Sequence, residues 1–481
     1  MSEDYHLVAV GGGTAGLSAV QAAVAMGKRA LLVSEGPLGG ECTWNGCVPS
    51  KALIEAARVH HSAAAAGAFG IKVNGLAVDF AAVMGRVHEV IDRIARYEDE
   101  RHIRHTGVDV IRGHARFTGT GTVAVDGTPI SAERVVIATG SHPAVPPIPG
   151  LDSVPYLTNE SLFRLTSQPA HLVVLGAGPI GLEMAQSFAR LGSAVDVIDV
   201  VTEYLPREDP EIAELSRRIL EREGVQFTLG AGTTSVSHDG ATFSVELDVD
   251  GSSRTIAGDA LLVATGRRPN IDGLGLESVG VKVTGTGIAV DAQLRTSLTG
   301  VYAAGDVTGI LPFTHAAAYQ GRLAARNALG KRSSASYRVV PWVIFTDPEI
   351  AHVGLTEPEA RAKHSDDVHV ATLPFTAIDR AVITGDVDGM IKVITKGNPL
   401  IGHAGGGAVL GAHIIGAGAG ELIHEFVLAM QVRAFSGRLA QAIHAYPAMS
   451  VGVQQAAAQL FAAGRATAGE MREDLSELLS G

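Results

Sequence analysis

Two stretches of this chain repeat one pattern. Residues 6–16 read HLVAVGGGTAG and residues 171–181 read HLVVLGAGPIG: a short apolar run, then G-x-G-x-x-G, then a helix-like segment. The apolar run has the character of a strand buried on both faces, and the glycines lead it into a helix, which is how a parallel βαβ unit opens. The first glycine (Gly11, Gly176) permits the tight turn. The second (Gly13, Gly178) lets backbone N–H groups approach a pyrophosphate, and the third (Gly16, Gly181) lets helix and strand pack closely.

A single such motif among 58 glycines would be weak. Each copy here is followed by a second apolar strand ending in an acid, ALLVSE at Glu35 and AVDVID at Asp199. Both acids stand near the ~20-residue spacing at which a carboxylate meets a ribose hydroxyl pair. Two copies with this context predict two dinucleotide sites.

The remaining marks divide the chain. At 481 residues it exceeds the usual size of one core, so on the order of two to four domains are expected. VVIATGSHPAVPPIPG (135–150) ends in a proline-rich exit, LLVATGRRPN (261–270) repeats its strand–ATG pattern, and VYAAGDVTG (301–309) is another apolar strand ending at Gly305-Asp306. The predicted fold is α/β: two Rossmann-like dinucleotide-binding domains and a C-terminal α+β domain. The limits expected are 1–150 with 271–340 for the first, 151–270 for the second, 341–465 for the third and 466–481 for a tail. Residues 81–105 read as one solvated surface helix, and two amphipathic helices are expected after residue 341. The segment from Ala463 to Gly481 reads as a fraying helix.

A net charge of −12 argues against nucleic acid or an anionic membrane as partner. The N-terminus carries acids where a signal peptide needs bases, and the glycine-rich run Ile401–Gly420 suits buried strands and turns better than a membrane helix. A cytoplasmic protein is the expectation. The only two cysteines, Cys42 and Cys47, lie in GGECTWNGCVPSKALI. In a reducing compartment such a pair is read as catalytic or metal-binding rather than as a staple. Zinc would want two further ligands, none lie nearby, and no metal site is assigned from the sequence.

With these motifs in hand, the chain resembles the flavoprotein disulfide reductases of the pyridine nucleotide-disulfide oxidoreductase family, over nearly its whole length. The C-x-x-x-x-C-x-x-[ST]-K element carries most of that resemblance. It implies FAD in the first site, a nicotinamide nucleotide in the second and a homodimer built through the C-terminal domain. By the same resemblance Cys47 faces the flavin, Cys42 faces the acceptor, and Lys51 approaches flavin N5 and pairs with Glu183. Glu35 and Asp306 would bind the ribose and ribityl portions of FAD. Gly40, Ala115, Thr139, Gly140, His315 and Ala316 would add flavin-site contacts, and Gly266 with Arg267 would add cofactor contacts after the second ATG. Electrons would run from the nicotinamide through the flavin to a Cys42–Cys47 disulfide. Pro49 and Ser50 just ahead of KALIEAA suit a helix start whose dipole favours a thiolate.

The pattern fails in one place. Disulfide-reducing members carry His-Pro followed by Ser-Glu, the histidine serving as acid and base for the partner subunit's thiols. Here AIHAYPAMSVGV puts Tyr446 before Pro447 and Val451 where the glutamate would be. Tyrosine, with a reference pKa near 10, is a poor proton shuttle at neutral pH. His444 is the substitute candidate, which on a strand would share a face with Tyr446, although packing is the preferred reading. The leading expectation is thus a homodimeric FAD enzyme passing electrons from NADH, less readily NADPH, to a disulfide or other small acceptor. NADH is favoured because Asp199 would repel a 2′-phosphate and VVTEYLP holds no arginine before Arg207. The alternatives are a quinone or metal-ion reductase similar to mercuric reductases, though without their C-terminal Cys-Cys, and the dihydrolipoamide dehydrogenase subunit of a 2-oxoacid dehydrogenase complex.

Overall fold

The computed structural model describes residues 5–119, 122–397 and 405–462. The expected tail, the Ala463–Gly481 helix, the first four residues and residues 401–404 of the glycine-rich run lie outside them.

The first apolar strand, Leu7–Val10, is buried at every residue and lies at the centre of a five-stranded parallel sheet. Across the sheet the order is Val301–Ala303, Val135–Ile137, Leu7–Val10, Ala30–Ser34 and Asp109–Arg112. Helix Thr14–Ala25 makes the first crossover and buries Leu17, Val20 and Ala23 in the core beneath. The second unit repeats the plan. Strands Val225–Leu229, Ala194–Asp199, His171–Leu175 and Ala260–Val263 form its parallel sheet, with helix Pro179–Leu191 after the glycine turn. Each unit also carries three antiparallel strands, Ala115–Gly119, Thr122–Val125 and Thr128–Ser131 in the first and Gly232–His238, Phe243–Val249 and Ser252–Gly258 in the second.

The two ATG motifs explain how the units are joined. The residues immediately after each, Ser141–Pro143 and Arg267–Pro269, pair as a short antiparallel ribbon. The chain thus crosses from the first unit to the second and returns along adjacent strands.

The C-terminal part is a five-stranded antiparallel sheet in the order Trp342–Ile344, Glu349–Gly354, Ala408–Gly416, Met390–Lys396, Val368–Pro374. Helices Ala419–Gln431 and Val451–Ala462 cover one face, with Phe426, Ile423, Val453 and Ala456 buried against Ala351, Val353 and Ile414. The other face packs on the second unit, sharing a core through Ile344, Ile350 and Ile415.

Two local expectations need correction. Residues 81–105 are not one solvated helix: Phe80–Ala95 and Glu100–His105 are separate, because Asp99 accepts from the His102 N–H and caps a new start. Phe80, Met84, Val87 and Ile91 of the longer one are buried against the helix Cys47–Ala65, so only one face is solvated. Beyond residue 341 five helices occur among the described residues, not two: of the three short ones, Glu357–His364 starts at a Thr356–Glu359 capping box, while Asp379–Thr384 and Ser436–Ala440 bury Ala381 and Leu439 in the domain core. No helix among the described residues is long and apolar enough to cross a membrane.

Candidate active site

The two glycine turns are glycine for two different reasons. Gly11 has φ +121° and a Cβ there would stand 2.1 Å from the Ala138 carbonyl oxygen; for Gly176 the values are +110° and 2.5 Å from that of Ala264. A Cβ on Gly16 would lie 1.9 Å from the Gly11 oxygen, and one on Gly181 2.0 Å from the Gly176 oxygen. Those four positions are dictated by the protein's own packing. Gly178 is not, since its φ of −80° suits any residue and a Cβ would meet nothing within 4 Å. Gly13 is similar, its nearest neighbour being Gly40 Cα at 3.8 Å. Each middle glycine therefore keeps open the floor in front of a helix N-terminus, where a pyrophosphate fits.

Both floors belong to one continuous cavity of about 3270 Å³. It is several times the ~300–1,000 Å³ of an ordinary small-ligand site, with room for two dinucleotides meeting in the middle. Its wall includes Gly11, Gly13, Glu35, Gly40, Ala115, Thr139, Gly140 and Asp306 from the first unit, and Gly176, Gly178, Asp199, Gly266 and Arg267 around the second. Cys42, Cys47, Lys51, Glu183 and His315 lie between the two groups on the same wall. Gly16, Gly181 and Ala316 stand behind it as packing residues, and His444 and Tyr446 lie outside it.

The cysteines sit at a helix junction. Cys42 is on the short helix Gly40–Trp44, and Gly46 caps the helix Cys47–Ala65, so the helix starts at Cys47 itself rather than after Pro49. The first turn tolerates Pro49 because its missing N–H would have no partner there. The two side chains touch, both as free thiols. Cys47 is pushed down to about 6 by the hydrogen bond from the Cys42 thiol, then by Thr314 and by the Lys51 charge, against the opposing pull of burial and Glu183. Thr314 Oγ1 lies 3.3 Å from Cys47 Sγ. Cys42 is raised in turn, because its proton is the one that bond uses.

Lys51 joins the two units. Its Nζ is 2.8 Å from Glu183 Oε2 and 4.4 Å from the centre of the Phe345 ring, while the Phe345 N–H donates to Glu183 Oε1 at 2.9 Å. Glu183 is nearly buried, so its carboxylate is held by charge and by backbone at once. Farther along the wall, Ser141 Oγ donates to Asp306 Oδ2 at 2.7 Å. Arg267 donates to Ser141 Oγ and O, and pairs with Glu41, so it faces the first unit although it follows the second glycine turn.

The acids differ. Glu35 is 74 % exposed and lies 3.2 Å from His114 Nδ1, a contact that raises His114. Asp199 accepts N–H groups of Ala177 and Val201 at 2.7 and 2.9 Å. In the C-terminal region His444 and Tyr446 lie on no strand: 443–445 run as loop and Pro447 offers no N–H to a ladder, so no strand face is shared between them. His444 faces acceptors on both sides, Glu425 Oε2 at 3.0 Å and the Ala442 carbonyl at 3.1 Å. Exposed Tyr446 donates to Asp379 Oδ2 at 2.8 Å, which raises its phenol further. His315 lies 2.8 Å from the Pro341 carbonyl.

Sequence reading missed Thr314, Ser141, His114 and Phe345. Thr314 directly precedes His315, His114 directly precedes Ala115 and Ser141 directly follows the first ATG, so adjacency was available as a signal. Phe345 carried none.

Two nucleotide floors opening on one cavity, with a cysteine pair between them and one thiol acidified, define an electron-transfer enzyme working between a nicotinamide nucleotide and a thiol pair. Residues 5–321 match the pyridine nucleotide-disulphide oxidoreductase family and residues 340–457 its dimerisation domain, and the chain belongs to that family. It is 36 % identical to the mercuric reductase of Bacillus cereus over 94 % of this chain and 71 % of that one. It is 38 % identical to the dihydrolipoyl dehydrogenase of Thermus scotoductus over 95 % and 97 %. Among solved structures, LpdA from Mycobacterium tuberculosis superposes with a TM-score of 0.85 at 30 % identity, covering 94 % of this chain and 99 % of that one. The HOCl-induced flavoprotein disulfide reductase RclA from Escherichia coli does so with 0.83 at 31 %, with the same coverages. The protein is an FAD- and pyridine-nucleotide-dependent oxidoreductase, and its antiparallel C-terminal sheet belongs to the dimerisation domain.

Proposed function

We propose that this enzyme takes electrons from NADH and delivers them from the Cys42–Cys47 pair to a small acceptor, which favours thiophilic or quinone-like oxidants over dithiol–disulfide exchange. The single observation behind the reading is the Cys42–Cys47 contact on the cavity wall shared by the two glycine floors, with Lys51 held by Glu183 beside it. FAD, when bound in the first site, would supply hydride acceptance from the nicotinamide and two-electron transfer to the disulfide. Gly11, Gly13 and Gly16 would seat its pyrophosphate, Glu35 its ribose, and Asp306, held by Ser141, its ribityl chain. Lys51, fixed by Glu183, puts positive charge beside Cys47 and favours the thiolate.

Cys42 then has to shed its proton to attack an acceptor. A positioned general base contributes about 10²- to 10⁴-fold, and Tyr446, anchored to Asp379 and raised, cannot serve as one near pH 7. His444, with both nitrogens facing acceptors, is better suited to holding its loop. A soft metal ion displaces a thiol proton on binding, and so depends less on such a base than lipoamide does. Mercuric reductases are named among the relatives, yet this chain has no cysteine besides Cys42 and Cys47. NADH is favoured by Asp199 and by exposed Val200 and Val201, which give a 2′-phosphate no partner. We further infer a homodimer with Tyr446 facing the partner's cavity, and a cytoplasmic setting that keeps the dithiol reduced.

The test is NADH oxidation with lipoamide, a small disulfide, Hg(II) and a quinone, in the wild type and in Cys42→Ser. Hg(II) and disulfide turnover should vanish in the variant, and lipoamide should be the poor substrate of the wild type. Tyr446→His with Val451→Glu should raise lipoamide turnover toward the ~10² end of a base's effect. Full Hg(II) and disulfide turnover in Cys42→Ser would sink the proposal.

A further inference from the structure

The exposed thiol site is not the only cluster of metal-binding atoms. Cross-strand register on the C-terminal sheet sets Trp342 opposite His352, His352 opposite His413, and His413 opposite Lys392, which puts all four on one face. That face turns away from the helices and onto the second nucleotide unit, whose Glu208 and Asp209 meet it just before the helix Pro210–Arg222. Glu208, His352 and His413 are each buried, at 6 %, 1 % and 0 % exposure.

The hydrogen bonds around these three side chains leave a gap of one kind. His352 Nε2 lies 2.9 Å from the Gly354 carbonyl, and His413 Nε2 2.9 Å from the Leu355 carbonyl. A carbonyl only accepts, so each ring carries its proton on Nε2 and turns the lone pair of Nδ1 the other way. His352 Nδ1 then faces Glu208 Oε2 at 3.2 Å, acceptor against acceptor. His413 Nδ1 has no hydrogen-bond partner at all. A buried polar atom left so costs free energy unless something unseen fills the place. A proton on His352 would satisfy Glu208 but leave His413 Nδ1 unpartnered beside a new positive charge. A cation between the three satisfies all of them.

We propose that Glu208, His352 and His413 form a buried site for a divalent cation of the zinc(II) class, pinning the second nucleotide unit to the dimerisation domain. One ligand atom from each lies within 4.8 Å of the others. A tetrahedral zinc with ligands at 2.0–2.1 Å would hold them ~3.3 Å apart, the spacing His352 and Glu208 already have. Two imidazoles and a carboxylate are a donor set that zinc accepts, and thiolate-seeking ions have no sulfur there.

The outer partners are those a metal site requires: Gly354 and Leu355 carbonyls behind the two histidines, and the Trp342 indole N–H donating to Glu208 Oε1 at 2.6 Å. Trp342 also stacks on the His352 ring at 3.8 Å and fixes its plane. The nearby Lys392 ammonium does not oppose a cation, being surrounded by Asp209, Glu211 and Glu357 within 3.0 Å. Glu208 and His352 also line the large cavity, which gives an ion a path to the site.

The test uses the FAD-loaded enzyme, stripped with a chelator and with Cys42–Cys47 oxidised so that no thiol competes. Zinc(II) alone, titrated against a chromophoric chelator, should bind at one per chain and raise the melting temperature. Its X-ray absorption should show nitrogen and oxygen neighbours only. His413→Leu should keep its FAD, weaken zinc by more than the ~10- to 100-fold typical of losing an outer partner, and lose the thermal shift. If that variant fails to retain FAD, Glu208→Gln, which keeps the shape and the Trp342 bond, should weaken zinc in the same direction. Absence of zinc binding to the oxidised enzyme, sulfur in the zinc shell, or equal affinity in wild type and both variants would overturn the site.

Discussion

The two nucleotide units share a motif and differ in what surrounds it. In the first, the open floor at Gly13 is backed by Gly40, and the Gly305–Asp306 turn, Ser141 and the cysteine-bearing helix close over the cavity beside it. In the second, nothing lies within 4 Å of a Cβ on Gly178, while both acid-ended strands run out to exposed residues, Glu35–Pro37 in the first and Val200–Val201 in the second. The acids follow suit: Glu35 hangs free for a ligand with only His114 beside it, while Asp199 is used by the backbone to shape its own turn. On the proposed function one motif serves two occupancies, FAD resident at the first floor and an exchanging nicotinamide nucleotide at the second.

The largest effect that could break this comparison comes from the first glycines. Gly11→Ala and Gly176→Ala impose the same insult, a left-handed φ worth ~1–2 kcal/mol plus a clash with a carbonyl. Gly11→Ala should yield colourless or insoluble protein. Gly176→Ala should stay yellow, with NADH reduction of the flavin lowered at least tenfold, about 1.4 kcal/mol. Absorbance of bound FAD and NADH-driven bleaching measure both, and equal loss of FAD in the two variants would refute the distinction.

A smaller effect sharpens the roles of the acids. The wild type should favour NADH over NADPH in kcat/KM by about tenfold or more, ~1.4 kcal/mol. Asp199→Asn should pull that ratio toward one, and Glu35→Gln should leave it unchanged. A ratio insensitive to Asp199 would mean that Arg207, exposed on the same wall, sets the preference.

The smallest effect tests the bridge between the units. In the reduced, FAD-loaded enzyme the long-wavelength absorbance due to the Cys47 thiolate should be full at neutral pH and fade as pH falls through about 6. Cys47 is lowered in the fold, so acid removes the thiolate. Lys51→Met deletes one of the lowering influences, and its midpoint should move to higher pH. An unchanged midpoint would leave the Cys42 and Thr314 hydrogen bonds as the whole cause.

Much of this arrangement was legible beforehand because it is local. The glycine turns, the terminal acids and the Cys-Cys-Lys spacing are each read within a single strand–helix–strand stretch or less, and each answers a backbone or ligand requirement that local geometry imposes. The surface-helix reading of 81–105 failed because periodicity alone cannot say which partner a stripe such as Phe80, Met84 and Val87 will find. How His444 and Tyr446 are placed was not legible locally, because they sit in a loop whose anchors, Glu425 and Asp379, are distant in sequence.

What the sequence by itself determined is the chemistry available: two dinucleotide floors, one redox-capable thiol pair, and the lack of a histidine where Tyr446 stands. Only the tertiary structure decided which groups meet. Thr314 reaches Cys47 from 267 positions away, Glu183 reaches Lys51 from 132, and Glu208 meets His352 from 144. Such pairings depend on how sheets stack and strands register. That geometry is set by burial summed over whole cores, which no window of the chain contains.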